Sequence, residues 1–224
     1  MKYLILGIAG KATSGKDTFY EILKNSLPEY QVRRVSIGDY IRIDINHLGY
    51  FASNNLNVFN FTPAEKEEIR PLMVEYANLV RSKSKGTYFL DIIDKQIEHT
   101  VTQSVNRSKY YDSERIIGSQ TNPIDSTKPL ILCITDIRFQ EYENDEVNWL
   151  QQRHNGKLIY IDRYDLVDGN KMPISFINET EKEQIPKLMN RADICISWPT
   201  TPDLNLKNYV TPIADEIRQN WLPV

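Results

Sequence analysis

The amino-terminal segment constrains the fold of this chain more than any other feature. An apolar run from Tyr3 to Ile8 has the pattern of a buried strand, and the run stops at Gly10. A glycine-bearing loop follows, and the segment from Asp17 to Leu27 then carries apolar residues at helical spacing. The order strand, glycine loop, helix predicts the first unit of an α/β fold built on a parallel sheet.

The loop between this strand and this helix fits the pattern G-x-x-x-x-G-K, and its context is that of a phosphate-binding loop. Gly10 and Gly15 allow successive backbone N–H groups to face a polyphosphate, while the helix adds the positive end of its dipole. Lys16 is then expected to contact the β- and γ-phosphates. The residues predicted to bind the polyphosphate are Gly10, Lys11, Ala12, Thr13, Ser14, Gly15, Lys16, Asp17 and Thr18.

Asp17 stands where most such loops have Ser or Thr to hold Mg²⁺, and Thr18 follows one position late. This arrangement occurs in nucleotide kinases, so it favours phosphoryl transfer to a small molecule over a GTPase-like switch. Two roles remain open for Asp17. It either binds Mg²⁺, directly or through water, or it stabilises the positive N-terminus of the helix.

A second candidate region is the apolar run from Pro129 to Asp136, which predicts a strand buried on both faces. A carboxylate at the carboxyl end of such a strand, beside a phosphate loop, has the usual position of a Mg²⁺-binding aspartate. Asp136 could instead cap a helix or pair with Arg138. The Arg138 guanidinium group has the geometry to bind the oxygens of a transferred phosphate.

The remaining elements alternate between strands and helices, which predicts a mainly parallel sheet with helices on both faces. A polar stretch at 103–128 has no periodicity and is interpreted as a long loop or an inserted flap. Further strands are predicted at 31–37, 157–162 and 193–197. Further helices are predicted at 40–50, 62–81, 88–101, 143–153, 179–190 and 206–221.

Composition excludes several functional classes. The chain has 224 residues and a net charge of −3, typical of one enzyme-sized domain. Its interspersed charges argue against a nucleic-acid-binding face, and no run approaches the roughly 20 apolar residues of a membrane helix. We therefore expect a soluble, cytoplasmic protein. Cys133 and Cys195 are predicted to be buried, reduced thiols, and the spacing of the histidines argues against a zinc site.

Several segments together resemble the bacteriophage deoxynucleoside monophosphate kinase family of P-loop kinases. The most specific are GKDT in the phosphate loop and TDIRF at 135–139, taken as a pair. The others are Glu68 to Met73, the later Arg81, and GKLIYIDR followed by NETEK at 178–182. The resemblance extends from about residue 3 to residue 198 and therefore covers most of the chain.

The resemblance implies transfer of the γ-phosphoryl group of ATP, with Mg²⁺, to a deoxynucleoside 5′-monophosphate. It implies one domain over 1–224 with a five-stranded parallel core, a helical monophosphate-binding region at about 39–105 and a lid-like segment at about 163–178. The implied ATP site is the loop of residues 10–18. Taken together with the residue patterns, the predicted catalytic residues are Lys16, Arg138 and Arg163, and the predicted metal ligands are Asp17 and Asp136. The predicted substrate-binding residues are Ser36, Asp39, Arg42, Arg70 and Arg81.

Departures from the family pattern fall in the acceptor region and leave the accepted base open. Gln140-Glu141-Tyr142 stands where members commonly have Pro-Asn-Glu, and Tyr76-Ala77-Asn78 stands where they often have Gly-Thr-Glu. A tyrosine, Tyr88, occupies the place of a usual tryptophan.

Electrostatics explains why such an enzyme needs arginines more than histidines. Two phosphorylated substrates repel each other, so cations must offset their charge, while an anionic attacking phosphate oxygen needs no strong base. The segment from Gly38 to Arg42 resembles a turn of adenylate-kinase-like enzymes, in which the arginine meets the acceptor phosphate. If Asp39 were a general base, the acceptor would be a hydroxyl group, as in dephospho-coenzyme A kinase.

A non-kinase nucleotide-binding ATPase is a further alternative. The expected partners are small-molecule nucleotides, with no nucleic acid and no membrane. A homodimer formed through the insertion is possible, and a viral protein would act in the host cytoplasm.

Overall fold

The structure is organised around a sheet of parallel strands with one antiparallel hairpin. In this computed structural model, which describes residues 2–102, 125, 127–176, 179–200 and 205–222, the sheet has six strands. They are β1 (Tyr3–Gly10), β2 (Gln31–Ser36), β3 (Leu130–Ile137), β4 (Lys157–Val167), β5 (Asn170–Pro173) and β6 (Ile194–Pro199). The parallel strands follow the order β2-β3-β1-β4-β6, and β5 pairs antiparallel with β4.

Helices connect these strands and cover both faces of the sheet. They are α1 (Lys16–Ser26), α2 (Ile37–Asn46), α3 (Gly49–Ser53), α4 (Pro63–Ser84), α5 (Tyr88–Thr102), α6 (Glu146–Asn148), α7 (Glu179–Arg191) and α8 (Lys207–Glu216). α1 and α8 pack on one face, whereas α2, α5, α6 and α7 pack on the other. The predicted α/β class is thereby confirmed: the sheet is mainly parallel and has helices on both faces.

β1 and β3 occupy the centre of the sheet because their sequences are almost continuously apolar. β1 is buried from Leu4 onward, and β3 is buried except at Asp136, which is partly exposed. Strands covered on both faces require such runs. Because β1 to β4 and β6 are parallel, their carboxyl ends meet at one edge of the sheet, and the glycine loop lies at that edge.

The predicted helical region at about 39–105 contains α2 to α5, and its longest helix has a well-defined start. Thr62 accepts a hydrogen bond from the Glu65 N–H, while the Glu65 side chain accepts one from the Thr62 N–H. This capping box, with Pro63 in the first turn, starts the helix within one residue of the start predicted at 62. Whether the region binds a monophosphate stays a prediction.

One strand boundary differs from the prediction in a way that matters for the site. The strand predicted to end at Asp162 continues to Val167, because pairing with β5 extends it. Arg163 therefore lies within β4, whereas the sequence placed it after the strand.

Two helix predictions also need correction. The helix predicted for 40–50 is two helices, α2 and α3, which are separated at His47 and Leu48. The helix predicted from Glu143 begins only after Asp145, whose side chain accepts a hydrogen bond from the next N–H and caps the helix. A π-helical turn continues both this helix and α8.

The two cysteines lie in different environments. Cys133 is buried as predicted, but Cys195 is exposed, so the prediction for Cys195 was wrong. β6 pairs with β4 at the edge of the described sheet, and its Ile194 and Ile196 side chains pack towards α8. Alternation along the strand turns Cys195 to the opposite, less covered face.

Two further predicted regions are only partly described. The stretch at 103–128 falls outside the described residues except for Asp125, Thr127 and Lys128. The lid-like segment at 163–178 is described as far as residue 176 and comprises the end of β4, β5 and the following loop. Among the described helices, none combines the length and the apolar character that a membrane crossing requires.

Trp198 on β6 packs against the glycine loop. The indole N–H donates to the Ser14 carbonyl at 2.9 Å, and the ring of Trp198 lies beside that of Phe19 with 6.4 Å between centroids. A Cβ added at Gly15 would lie 2.8 Å from the Trp198 ring. Gly15 also has a φ of +91°, in the region that favours glycine, so both backbone and packing require it.

We expect Gly15→Ala to lower the free energy of unfolding by about 2 kcal/mol, through left-handed strain and overlap with Trp198. Gly49→Ala is the matched control, because an added Cβ there has no atom within 4 Å and no positive φ. Urea denaturation followed by circular dichroism measures both. Equal stability of the Gly15→Ala protein and the wild type would contradict this account of the loop.

Candidate active site

The glycine loop forms a tight bend that leads directly into α1. Ser14 N–H donates to the Lys11 carbonyl at 3.2 Å, and Thr13 and Gly15 both have positive φ values. α1 begins directly after the bend, at Lys16, so its first N–H groups lack helical partners. Such a bend at a helix N-terminus suits an anionic ligand.

The Lys16 side chain is hydrogen-bonded to the backbone of the bend and lies close to Asp136. Its ammonium group donates to the carbonyls of Gly10, at 3.1 Å, and Lys11, at 2.9 Å, and lies 3.8 Å from Asp136 Oδ1. Burial lowers the pKa of Lys16, and the charge of Asp136 opposes that shift. The loop thus fixes one cation beside its N–H groups.

The backbone at the end of β3 directs Asp136 towards Lys16. The register of β1 against β3 shifts at this point, so that Ile8 faces Thr135 and Ala9 faces Ile137. Asp136 is the extra residue of the resulting bulge and has a φ of +71°. Bulges of this kind redirect a side chain near functional sites, and a non-glycine residue in this region is strained.

Asp136 is surrounded by donors. Ser36 Oγ donates to Asp136 Oδ2 at 2.9 Å, and Arg138 lies 3.9 Å from Oδ1. Burial acts to raise the pKa of Asp136, but Lys16 and Arg138 outweigh burial and hold that pKa below its ordinary value. The carboxylate is therefore ionised at neutral pH.

A second charged cluster lies next to this one, at the end of β2. Asp39 in the first turn of α2 accepts hydrogen bonds from Arg42 and from Arg34. Arg34 also pairs with Asp17 at 2.8 Å and so connects α1 to α2. No sequence motif singles out Arg34, because only the folded β2 shows that its side chain lies between two helix N-termini.

These residues fit ATP and Mg²⁺ as ligands. Ser14 Oγ is fully buried and makes no hydrogen bond, which leaves an unused polar group inside the bend. Among the described residues, no group of three or more His, Cys, Asp or Glu side chains could hold a metal by itself. Magnesium in kinases is commonly bound by one or two carboxylates together with substrate phosphates, and Asp136 and the exposed Asp17 are available for that.

Arg163 contacts the outer side of the glycine bend. It donates to the Thr13 carbonyl at 2.7 Å and to Thr200 Oγ1 at 3.1 Å. Thr18 is exposed in the first turn of α1. Arg163 thus contacts the loop, and its catalytic role stays a prediction.

The two arginines predicted on α4 make very different contacts. Arg70 is on the surface and pairs with Glu67 one turn earlier. Arg81 is buried, pairs with Asp145 and Glu141, and stacks on Phe139 with 3.6 Å between its Cζ and the ring centroid. Its donors are engaged within the protein, so these contacts give Arg81 a structural role, and substrate binding by it stays a prediction.

The structure therefore brings one subset of the predicted residues together. The members that meet at the carboxyl edge of β1, β2 and β3 are Lys16, Ser36, Asp39, Arg42, Asp136 and Arg138.

Glu146 holds the backbone after Asp136 in place. Its buried carboxyl group accepts hydrogen bonds from the N–H groups of Arg138 and Phe139. Burial, with the neighbouring charge of Asp145, raises the pKa of Glu146 to about 8. No sequence motif indicates this role, because it depends on the packing of α6 against the end of β3.

Since the pKa of Glu146 is about 8 in the folded protein and near 4.5 otherwise, folding retains a proton that the unfolded chain releases between these values. The wild type therefore loses stability as the pH rises through this window. We expect the stability of Glu146→Gln relative to wild type to grow by about 1 kcal/mol or more from pH 5 to pH 8. Thermal melts across this range measure it. Glu143→Gln, at an exposed position, is the control, and a pH-independent difference for Glu146→Gln would contradict the assignment.

Arg81→Ala should lower the free energy of unfolding by about 3 kcal/mol, because it leaves the Asp145 carboxylate buried without its partner. Arg70→Ala on the same helix should cost at most about 0.5 kcal/mol, since that ion pair is exposed. Urea titrations of the two variants compare them directly. Similar losses of unfolding free energy in the two variants would contradict the expectation that the buried Arg81 stabilises the fold more than the exposed Arg70.

Comparison of the chain with family models finds no match, and comparison with curated proteins finds none. A solved structure that matches is the crystal structure of shikimate kinase from Aquifex aeolicus. The match has 14% sequence identity and a TM-score of 0.39, and it covers 99% of this chain and 100% of that chain. At this level it carries no argument about function, and the resemblance to bacteriophage deoxynucleoside monophosphate kinases rests on sequence motifs alone.

Proposed function

We propose that this chain is a small-molecule kinase that transfers the γ-phosphoryl group of ATP to a (deoxy)nucleoside 5′-monophosphate. The observation that carries the proposal is the meeting of two charged groups at one sheet edge. Lys16 and Asp136 form the first, and Asp39 and Arg42 form the second. A Cβ added at Gly38 would lie 3.3 Å from Asp136 and 3.9 Å from Arg42, so the two groups are close neighbours.

The donor side is the glycine bend. The unpartnered Ser14 hydroxyl is buried within it, and two carbonyl groups of the loop hold the Lys16 ammonium group. A triphosphate bound there would have its terminal phosphate near Asp136. Magnesium held by Asp136, with Asp17 as a second candidate ligand, would neutralise charge on the phosphates.

The acceptor side is the start of α2. Arg42 and Arg34 provide cations next to the bend, and Arg138 provides a third beside Asp136. In the proposed reaction an oxygen of the acceptor phosphate attacks the γ-phosphorus, the bond to the β–γ bridging oxygen breaks, and ADP leaves. The acceptor oxygen is already anionic, so the step needs positioned cations and no strong base.

Transfer to a hydroxyl group would instead need a base, and Asp39 was the candidate for it. Both carboxylate oxygens of Asp39 accept hydrogen bonds from arginines, Oδ1 from Arg42 and Oδ2 from Arg34. Each oxygen is therefore already engaged with a guanidinium group, which leaves fewer acceptor positions for the proton of a hydroxyl group. This favours a phosphate acceptor over a hydroxyl acceptor.

A coupled assay of ADP release tests the proposal with each of the four common deoxynucleoside monophosphates. We expect at least one of them to stimulate ADP release by the wild type, and we expect Lys16→Met to lower that rate at least about 100-fold. Methionine keeps the length of the side chain without the charge, and circular dichroism verifies the fold of the variant.

Lys24→Met, on the same helix but away from the bend, is the control and should retain the wild-type rate. ADP release that no monophosphate stimulates would rule out a deoxynucleoside monophosphate acceptor. ATP turnover that is independent of any acceptor and insensitive to Arg42→Ala would favour the ATPase alternative.

A further inference from the structure

The segment after β5 and the helix α7 contact the glycine bend directly. Lys11 Nζ donates to the Ile174 carbonyl at 2.7 Å and lies 4.6 Å from the centroid of the Phe176 ring. The Ala12 N–H donates to Glu181 Oε1 at 2.8 Å. Successive loop residues are thus covered by a part of the chain more than 160 positions later.

The hydrogen bond between Ala12 and Glu181 occupies a backbone group that is suited to binding an anion. Backbone N–H groups of a bend at a helix N-terminus are anion-binding groups, and a carboxylate oxygen is an anionic acceptor like a phosphate oxygen. A side chain that accepts from such an N–H group therefore uses part of the site that a nucleotide phosphate requires.

The burial of Glu181 supports this interpretation. Only 7% of the residue is exposed, although glutamate is almost never buried unless it is paired. The charge of Glu181 interacts electrostatically with both Lys16 and Arg70, so its carboxylate lies in the field of the predicted phosphate-binding cations.

We propose that Glu181 is an internal competitor of the nucleotide: its carboxylate occupies the Ala12 N–H group of the glycine bend, and a triphosphate binds fully only after α7 releases that group. The inference rests on the proposed function, because it assumes that the bend binds phosphate. Glu181 thereby reduces the affinity for the donor nucleotide in proportion to the population of the form with α7 in contact.

The position of α7 is fixed by a second contact, so release of Glu181 is not a local event. Gln184 Nε2, one turn further along, donates to the Glu141 carboxylate, and Glu141 pairs with the buried Arg81. Binding of a triphosphate is therefore linked to the contact between α7 and the loop that follows β3.

Calorimetric titration with inorganic tripolyphosphate, in the absence of divalent metal, tests the proposal without any role for the base or for Mg²⁺. The proteins are the wild type, Glu181→Gln, Glu181→Asp and Glu183→Gln. Glu183→Gln removes the same charge from an exposed position of the same helix. Glu181→Asp keeps the charge but shortens the reach to the Ala12 N–H group.

We expect Glu181→Gln and Glu181→Asp to bind tripolyphosphate at least about fivefold more tightly than the wild type, and Glu183→Gln to bind within about twofold of it. Titration with ATP under the same conditions should give the same order. Thermal melts without ligand verify that each variant is folded.

Binding by Glu181→Gln that equals or is weaker than wild-type binding would overturn the inference, while leaving the loop as a phosphate site. Tighter binding by Glu181→Gln with unchanged binding by Glu181→Asp would also overturn it, because general electrostatics and not the contact would then be responsible. Absence of tripolyphosphate and ATP binding by every protein would overturn the proposed function together with the inference.

Discussion

The approach of Lys16 to Asp136 is the interaction on which the rest of the site depends. It requires a buried ammonium group, a strained bulge at the end of β3 and two neighbouring central strands in parallel register. Neither charge is stable alone in such surroundings, since an unpaired buried charge carries a large desolvation penalty. The serine at the end of β2 donates to the same carboxylate, so three adjacent strand ends are held together by one charged cluster.

Local sequence patterns predicted the parts of the molecule whose structure is determined by nearby residues. The bend from Gly10 to Lys16, the apolar β3 and the capped start of α4 all follow from spacing and residue type over about one element. The end of β4 and the exposure of Cys195 were missed, because they depend on the hairpin partner and on the position of an edge strand. Strand order and long-range pairing cannot be read from a local window.

The same limit explains which site residues could be predicted. Local sequence does not distinguish the environments of the arginines. Arg42 lies beside an aspartate at the sheet edge, whereas Arg81 is enclosed by acidic groups from a distant loop. Arg34 and Glu181 had no motif of their own, although the latter stands within the quoted NETEK segment. Their roles depend on which surfaces the fold places in contact, and that information lies in topology.

The hydrogen bond from the Trp198 indole to the Ser14 carbonyl joins residues separated by 184 positions. The bend from Gly10 to Lys16, although encoded near the start of the sequence, is thus supported by β6, the last strand in sequence order that the structure describes. Contacts of such sequence separation form late, because closing the intervening loop has a high entropic cost. During synthesis, a chain that still lacks β6 has no such support for its bend, so the proposed nucleotide site is complete only once β6 has docked.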